Sequence, residues 1–549
     1  MAEWLLSGHN PQEWTGVARP MTLTGSKTFI DDQTDWFLSQ LVQDTADLDP
    51  TLECMVPVQG RLYLNISYLM RNVAAAVPFD PASVGVPARQ VPADLAPPPA
   101  PPGQKLRLPW RFYRMVRWSA NFYRHAFPGL YRELNDLYWQ LREGPHSPLP
   151  LIWRLCEPEF HARLADMTRA HAVITLVITV IDGILREQAP QLLGLFVGQA
   201  TATSLIGQRI WELHRTAEQC GPEVLRMLAE GTADLDAYQA LPDAAALVAT
   251  VRAFLHEYGH RGFRFERDFE AERLADHPEH ILLAVAGQLK EDEPPEVRAE
   301  AARRAALEAL RRMNPIQQLV WRPVLRWGRK LISWREDSNS GVALGQAAHG
   351  LAARQLARHF YPDQPDDVTM LYTLEEFLAF ARSRGERRVD QETLDRRRAQ
   401  FELYQAQPPP PELIWYDPLT RRWRPALEEE EMPVAGATRL AGIAASAGSG
   451  LVEGIAMVTN DPLDAARRLL ALEGPVVLVT RLTDPAWSSL FRRLSAVVTE
   501  LGGGVFHAAI VARENGLPAV VGVLRVTQLV RDGQRLRVDG AAGKVEVIE

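Results

Sequence analysis

Cysteine is nearly absent from this chain. Three occur in 549 residues, Cys54, Cys156 and Cys220, too far apart to read as a disulfide framework or a zinc motif. Such scarcity fits a reducing cytoplasm. A surplus of cations is lacking too: the formal net charge is −8, which excludes a general nucleic-acid binder because no excess charge is available to neutralise phosphates. Long apolar runs are missing. The longest, AVITLVITVI (172–181), stops at Asp182-Gly183; it is too short to span a bilayer and reads as a buried helix or strand. The opening MAEWLLSGHNPQEW has neither a basic n-region nor an apolar h-region, so a secretory signal is not expected. No Walker-type loop or other nucleotide cradle is visible. These absences predict a soluble cytoplasmic protein with no membrane and no nucleic-acid partner.

What is present is ordinary in bulk, with 46% hydrophobic and 23% charged residues, in a chain long enough for two to four domains. Three zones follow from texture. Residues 1–407 read as a mostly helical body with a Pro-rich loop near 78–104. Within it, 295–313 and 367–386 are amphipathic, and Thr373 with Glu376 three residues on predicts a capping box. Proline and acidic clusters across 408–437 read as a linker. Residues 438–549 alternate short β-branched runs with helical patterns and end in a hairpin around 540–543, giving a compact β/α domain. WRPVLRWGRKLISW (321–334) reads as an amphipathic helix with its tryptophans inward, and DRRRAQ (395–400) as a solvated helix face.

One stretch departs from ordinary core: TELGGGVFHAAIVARENGLPAVVGV (499–523). SAVVT before it predicts a strand, Gly502, Gly503 and Gly504 a loop, and HAAIVARENG a helix stopped by Gly516. His507 then lies at a helix N-terminus, where free N–H groups and the macrodipole favour an anion. Glycines ahead of it allow an N–H nest. An imidazole so placed suits attack on a phosphoryl group.

The stretch closely resembles the phosphohistidine (swivelling) domain of phosphoenolpyruvate-utilising enzymes. Thr499, Glu500, Gly502, Gly503, His507, Ala508, Ala509, Ile510, Ala512, Arg513, Glu514, Gly516, Pro518, Ala519 and Val520 match its pattern in register. The resemblance implies that His507 carries the phosphoryl group and that Gly502, Gly503, Gly504, Thr499 and Arg513 contact phosphate. Phe506 departs from the pattern, since relatives place a small hydroxyl or thiol residue there. A phenyl ring cannot hydrogen-bond a phosphate oxygen.

Thr483, Asp484, Pro485 and Trp487, with GRLYLN (60–65), FLHEYGHRG (254–262), SWRED (333–337) and DDVTMLYTLEEF (366–377), resemble the rifampin phosphotransferase branch of that family. The implied fold is α + α/β: a helical substrate-binding domain followed by a β/β/α swivelling domain. Arg335 is the implied transfer-site arginine, and Asn339 stands where some relatives carry a base. His260 and Arg261 are further candidates, His260 as general base. Full-length relatives begin with an ATP-grasp domain, which is not visible in this sequence. Two-component relatives such as phenylphosphate synthase therefore imply a separate ATP-grasp subunit. That partner would supply ATP and Mg²⁺, with no cofactor or metal bound by this chain alone. The acceptor would be a hydroxyl on a small, possibly aromatic, molecule, reached by a swing on the 408–437 linker. Two alternatives stand beside this: a phosphoryl-activated condensing enzyme of the prodiginine-synthase type, and a non-catalytic binding or regulatory module.

Overall fold

The computed structural model describes residues 3–8, 17–41, 52–73, 86, 91, 95, 104–144, 147–189, 192, 202–263, 268–289, 296–426, 436–448, 450–503 and 506–548. Most of the Pro-rich 78–104 loop and the acidic run 427–433 lie outside them. A helical body precedes a C-terminal sheet domain, as the sequence predicts.

The spine of the body is the helix Pro315–Phe360. Asn314 caps it through a reciprocal capping box with Gln317, and Pro315 stands at its first position, where a missing N–H costs nothing. Its second half is rich in small buried residues, among them Gly341, Ala343, Gly345, Ala347, Ala348, Gly350, Ala352 and Ala353. These let the helices Phe127–Glu143 and Pro158–Gln188 approach closely. A Cβ on Gly350 would lie 1.9 Å from the Phe269 carbonyl oxygen, so only glycine fits there. The apolar run 172–181 is an internal part of the helix Pro158–Gln188. Thr373 caps the helix Leu374–Arg382 and exchanges hydrogen bonds with Glu376, as its spacing predicts.

The body is not purely helical. A five-stranded antiparallel sheet runs in the order β2-β3-β1-β4-β5, with β1 Trp4–Ser7, β2 Met55–Val58, β3 Arg61–Asn65, β4 Leu413–Asp417 and β5 Arg422–Pro425. The linker expectation for 408–437 needs correction on this point. Residues 413–425 form a hairpin whose first strand pairs with β1 from Trp4↔Tyr416 to Ser7↔Leu413. Burial of Leu413 and Ile414 beside Leu5 and Leu6 explains why this segment is held.

The C-terminal domain is built on an eight-stranded sheet. Its centre is a parallel set, β8 Leu451–Val458, β9 Val476–Thr480, β10 Ala496–Thr499 and β11 Ala519–Val521. Antiparallel strands flank it: β6 Arg439–Ala441, β7 Ile443–Ser446 and the closing hairpin β12 Arg535–Asp539 and β13 Lys544–Val547. The run Val476–Thr480 is buried throughout, as expected of a parallel strand covered on both faces. Helices Pro462–Ala471 and His507–Glu514 provide crossovers. No described helix is long and apolar enough to cross a membrane.

Candidate active site

The loop after β10 sets the geometry. Gly502 has φ +122°, a conformation L-residues rarely adopt. Gly503 accepts a hydrogen bond at 3.1 Å from the Phe506 amide, and Gly504 lies outside the described residues. The helix then starts at His507, with extended Phe506 (ψ 167°) at the N-cap and no side-chain cap. Its first N–H groups therefore receive no capping side chain, which suits an incoming anion. Phe506 is 8% exposed, with a ring edge 3.5 Å from where a Gly502 Cβ would stand, so the ring is turned into the loop. Gly516 stops the helix at φ +64°, as predicted.

His507 is held from both ring nitrogens. Thr483 Oγ1 lies 2.9 Å from Nδ1 and Ser488 Oγ 3.1 Å from Nε2, while Phe491 meets the ring edge-on at 6.2 Å between centroids. Asp484 builds this wall: its carboxylate accepts from the Ala486 amide and starts the short helix Pro485–Ser489, which carries Ser488. Burial first, then Arg261 and Arg335, push the imidazole down to about 3. It is therefore neutral, with a lone pair available, across the physiological range.

Both arginines come from the helical body. Arg261 is fully buried just beyond the helix Ala245–Tyr258, which is capped at Gly259; Gly262 bridges to Arg273. Arg335 donates to Glu336 at 2.5 Å, and the pair is mostly buried. Asp337 joins the cluster. Burial and neighbouring Glu336 raise its carboxyl to about 7, against opposing pulls from Ser333 and Arg261. His260 is engaged elsewhere, with Nε2 2.8 Å from Ser340 Oγ and 3.5 Å from the Tyr131 hydroxyl. Burial, Arg261 and Arg273 hold it well below the usual histidine range. Thr499 spends its hydroxyl on the Leu501 carbonyl at 2.6 Å, which shapes the loop. Arg513 lies in the last turn of the helix that His507 begins, roughly 9 Å further along its axis at 1.5 Å per residue. Among the described residues, no group of three His, Cys, Asp or Glu is placed to hold a metal ion.

The structure thus brings His507, Arg261 and Arg335 together at one place between two domains. Residues 472–543 match the mobile domain of PEP-utilising enzymes, and residues 167–336 match the rifampicin phosphotransferase fourth domain. The first span holds His507 and the second holds both arginines. The chain thus resembles each of these domains over its own span, and the two spans together cover under half of it. It is 34% identical to a rifampicin phosphotransferase of Streptomyces sp over 353 residues, covering 60% of this chain and 38% of the relative. A Bacillus cereus rifampicin phosphotransferase is 31% identical over 315 residues, 54% of this chain and 34% of the relative. A phosphoenolpyruvate synthase of Aeropyrum pernix is 39% identical over 135 residues, 25% of this chain and 16% of that protein. The chain thus spans well under half the length of these relatives.

Sequence reasoning missed two residues of this site. Ser488 lies within the TDPAWSSL segment already noted for its match, and its place on the imidazole depends on the Asp484 turn. Asp337 was visible only as the last residue of the SWRED match. Its burial beside Glu336 and Arg261 is a tertiary fact that spacing does not carry.

Proposed function

We propose that this chain is the phosphohistidine-carrying part of a phosphotransferase, loaded by an ATP-grasp partner and unloading onto a hydroxyl of a small organic molecule. One arrangement carries the reading: a buried imidazole at a helix N-terminus lies within electrostatic reach of two arginines contributed by the other domain, which with burial favours its neutral form. In the loading step the lone pair on Nε2 attacks the phosphorus presented by the partner, the N–P bond forming as the P–O bond to the nucleotide-derived leaving group breaks, with Thr483 holding Nδ1–H as acceptor. ATP and Mg²⁺ belong to the partner in this reading. In the unloading step the acceptor oxygen attacks phosphorus and the N–P bond breaks. The hydroxyl proton passes to the Asp337 carboxylate, and the imidazole returns to its neutral form. Arg261 and Arg335 offset the charge on the transferring oxygens. The relatives named phosphotransferase and phosphoenolpyruvate synthase support phosphoryl transfer as the reaction class.

Intact-mass spectrometry at neutral to basic pH, where phosphohistidine survives, tests the carrier role. The protein is mixed with ATP, Mg²⁺ and a candidate ATP-grasp protein, beside a His507→Ala control. A single phosphoryl adduct that requires the partner and is absent from the control is expected. An unmodified mass with a partner shown to hydrolyse ATP would overturn the reading.

A further inference from the structure

A second concave surface lies away from the glycine loop. It is a groove of about 1530 Å³ walled by the end of the helix Pro20–Leu41, by the helix Gln104–His125 and by Trp327 of the long helix. Its aromatic side chains are only partly covered: Trp110 is 63% exposed, Tyr113 51% and Trp327 43%. They are arranged as platforms. Trp110 and Tyr113 stack at 5.5 Å and 25°, and Trp36 meets Trp118 at 4.9 Å and 44°. Large exposed rings gathered in one concavity mark ligand surfaces more often than chance apolar exposure does.

The charge on this surface has one sign among the described residues. Arg111, Arg114, Arg117 and Arg124 line it, and among the described residues no Asp or Glu does, in a chain whose net charge is −8. Arg124 lies 5.9 Å from the ring centroids of both Trp327 and Trp334, so one guanidinium is shared between two indoles. Planar rings interleaved with guanidinium groups fit a flat ring bearing a carboxylate or phosphate. A long polyanion would meet the acidic remainder of the molecule; a small anion fits within the positive patch.

We infer that this groove is a binding site for a small aromatic anion, the ring lying on the tryptophan and tyrosine platforms and the acid group held by Arg114, Arg117 and Arg124. The claim is independent of the carrier reading, because it needs neither His507 nor a phosphoryl donor. A ligand there would lie near Trp334, the residue before Arg335.

Isothermal titration of the full chain with 1-naphthoate, adenosine monophosphate and neutral 1-naphthylmethanol tests it. Saturable binding of naphthoate, the nucleotide or both at one site is expected, with the relative affinities separating an aromatic acid from a nucleotide. Affinity should fall on the order of tenfold or more in the Arg114→Gln/Arg117→Gln double variant and in Trp327→Ala. Arg114 and Arg117 are exposed on their helix, so their replacement leaves the fold intact. Equal binding of naphthoate and naphthylmethanol would overturn the proposal, as would binding unchanged in both variants or absence of saturable binding. The neutral analogue keeps the test decisive even if a variant misfolds.

Discussion

At the scale of single residues, the site divides its work between groups whose proton affinities have been driven apart. His507 is pushed down to about 3 and Asp337 up to about 7. The imidazole is therefore already neutral throughout the physiological range, and its own titration does not limit loading. Asp337 behaves in the opposite sense. Below about 7 its carboxyl holds a proton and cannot accept another, so transfer to a hydroxyl should rise with pH through about 7. In Asp337→Asn that rising limb should disappear, with transfer from loaded protein to an added phenol slowed roughly 10²–10⁴-fold, the usual worth of a general base. Single-turnover decay of the phosphorylated protein, followed from pH 6 to about 9, provides the check. A variant that keeps the limb would remove Asp337 from the chemistry. His260, the base suggested by sequence, is committed to Ser340 and Tyr131, and burial, Arg261 and Arg273 all disfavour its charged form.

At the scale of elements, the strand–glycine–helix unit was readable because its signals are local: a β-branched run, glycines, then a helix stopped by Gly516. The Thr373–Glu376 box was readable for the same reason. The helical stripe through 321–334 was half legible. Trp321, Leu325, Gly328, Leu331 and Trp334 are buried at helical spacing, and Trp327 falls off that stripe and faces the groove. The first sheet was not legible at all. β1 and β4 are strands of four and five residues, WLLS and LIWYD, separated by nearly the whole helical body, and such short runs carry no period to read. The loop glycine offers a clean test of the local unit. Among the described residues a Cβ at Gly502 would meet no atom nearer than 3.5 Å, yet its φ of +122° is hostile to side chains. Gly502→Ala should thus destabilise through the backbone alone, by about 1–3 kcal/mol. Thermal unfolding reads that loss, and a second effect should accompany it: loading of His507 should fall more than the folded fraction does, because the helix start is displaced. Unchanged loading at unchanged stability would show that the loop tolerates another conformation.

At the scale of the whole molecule, the carrier reading requires the C-terminal domain to leave the helical body, and so to break the contacts that dock it there. His280 donates to the Ala486 carbonyl at 2.8 Å, Arg492 reaches Gln288 at 3.0 Å and lies 5.3 Å from the Trp211 ring. Leu283 enters the core of the sheet domain. Arg481 donates to Glu412 at 2.8 Å, beside β4 of the first sheet. Because 413–425 is fixed in that sheet, any swing in this reading turns on residues after Pro425, within a shorter segment than composition suggested. The Arg481–Glu412 pair ties the moving side of that pivot to the fixed side. Partly exposed at 41% and 27% of their side chains, the two charges are worth about 0.2–1 kcal/mol to the docked state. Glu412→Gln should therefore raise the undocked fraction roughly 1.4- to 5-fold. Hydrogen exchange across 481–493 should quicken, and loading by the partner should speed up in the same proportion. Exchange that quickens without faster loading would separate domain release from phosphoryl capture. If neither rate moved, the pair would play no part in docking, and the contacts of His280 and Arg492 would be left to hold the domain.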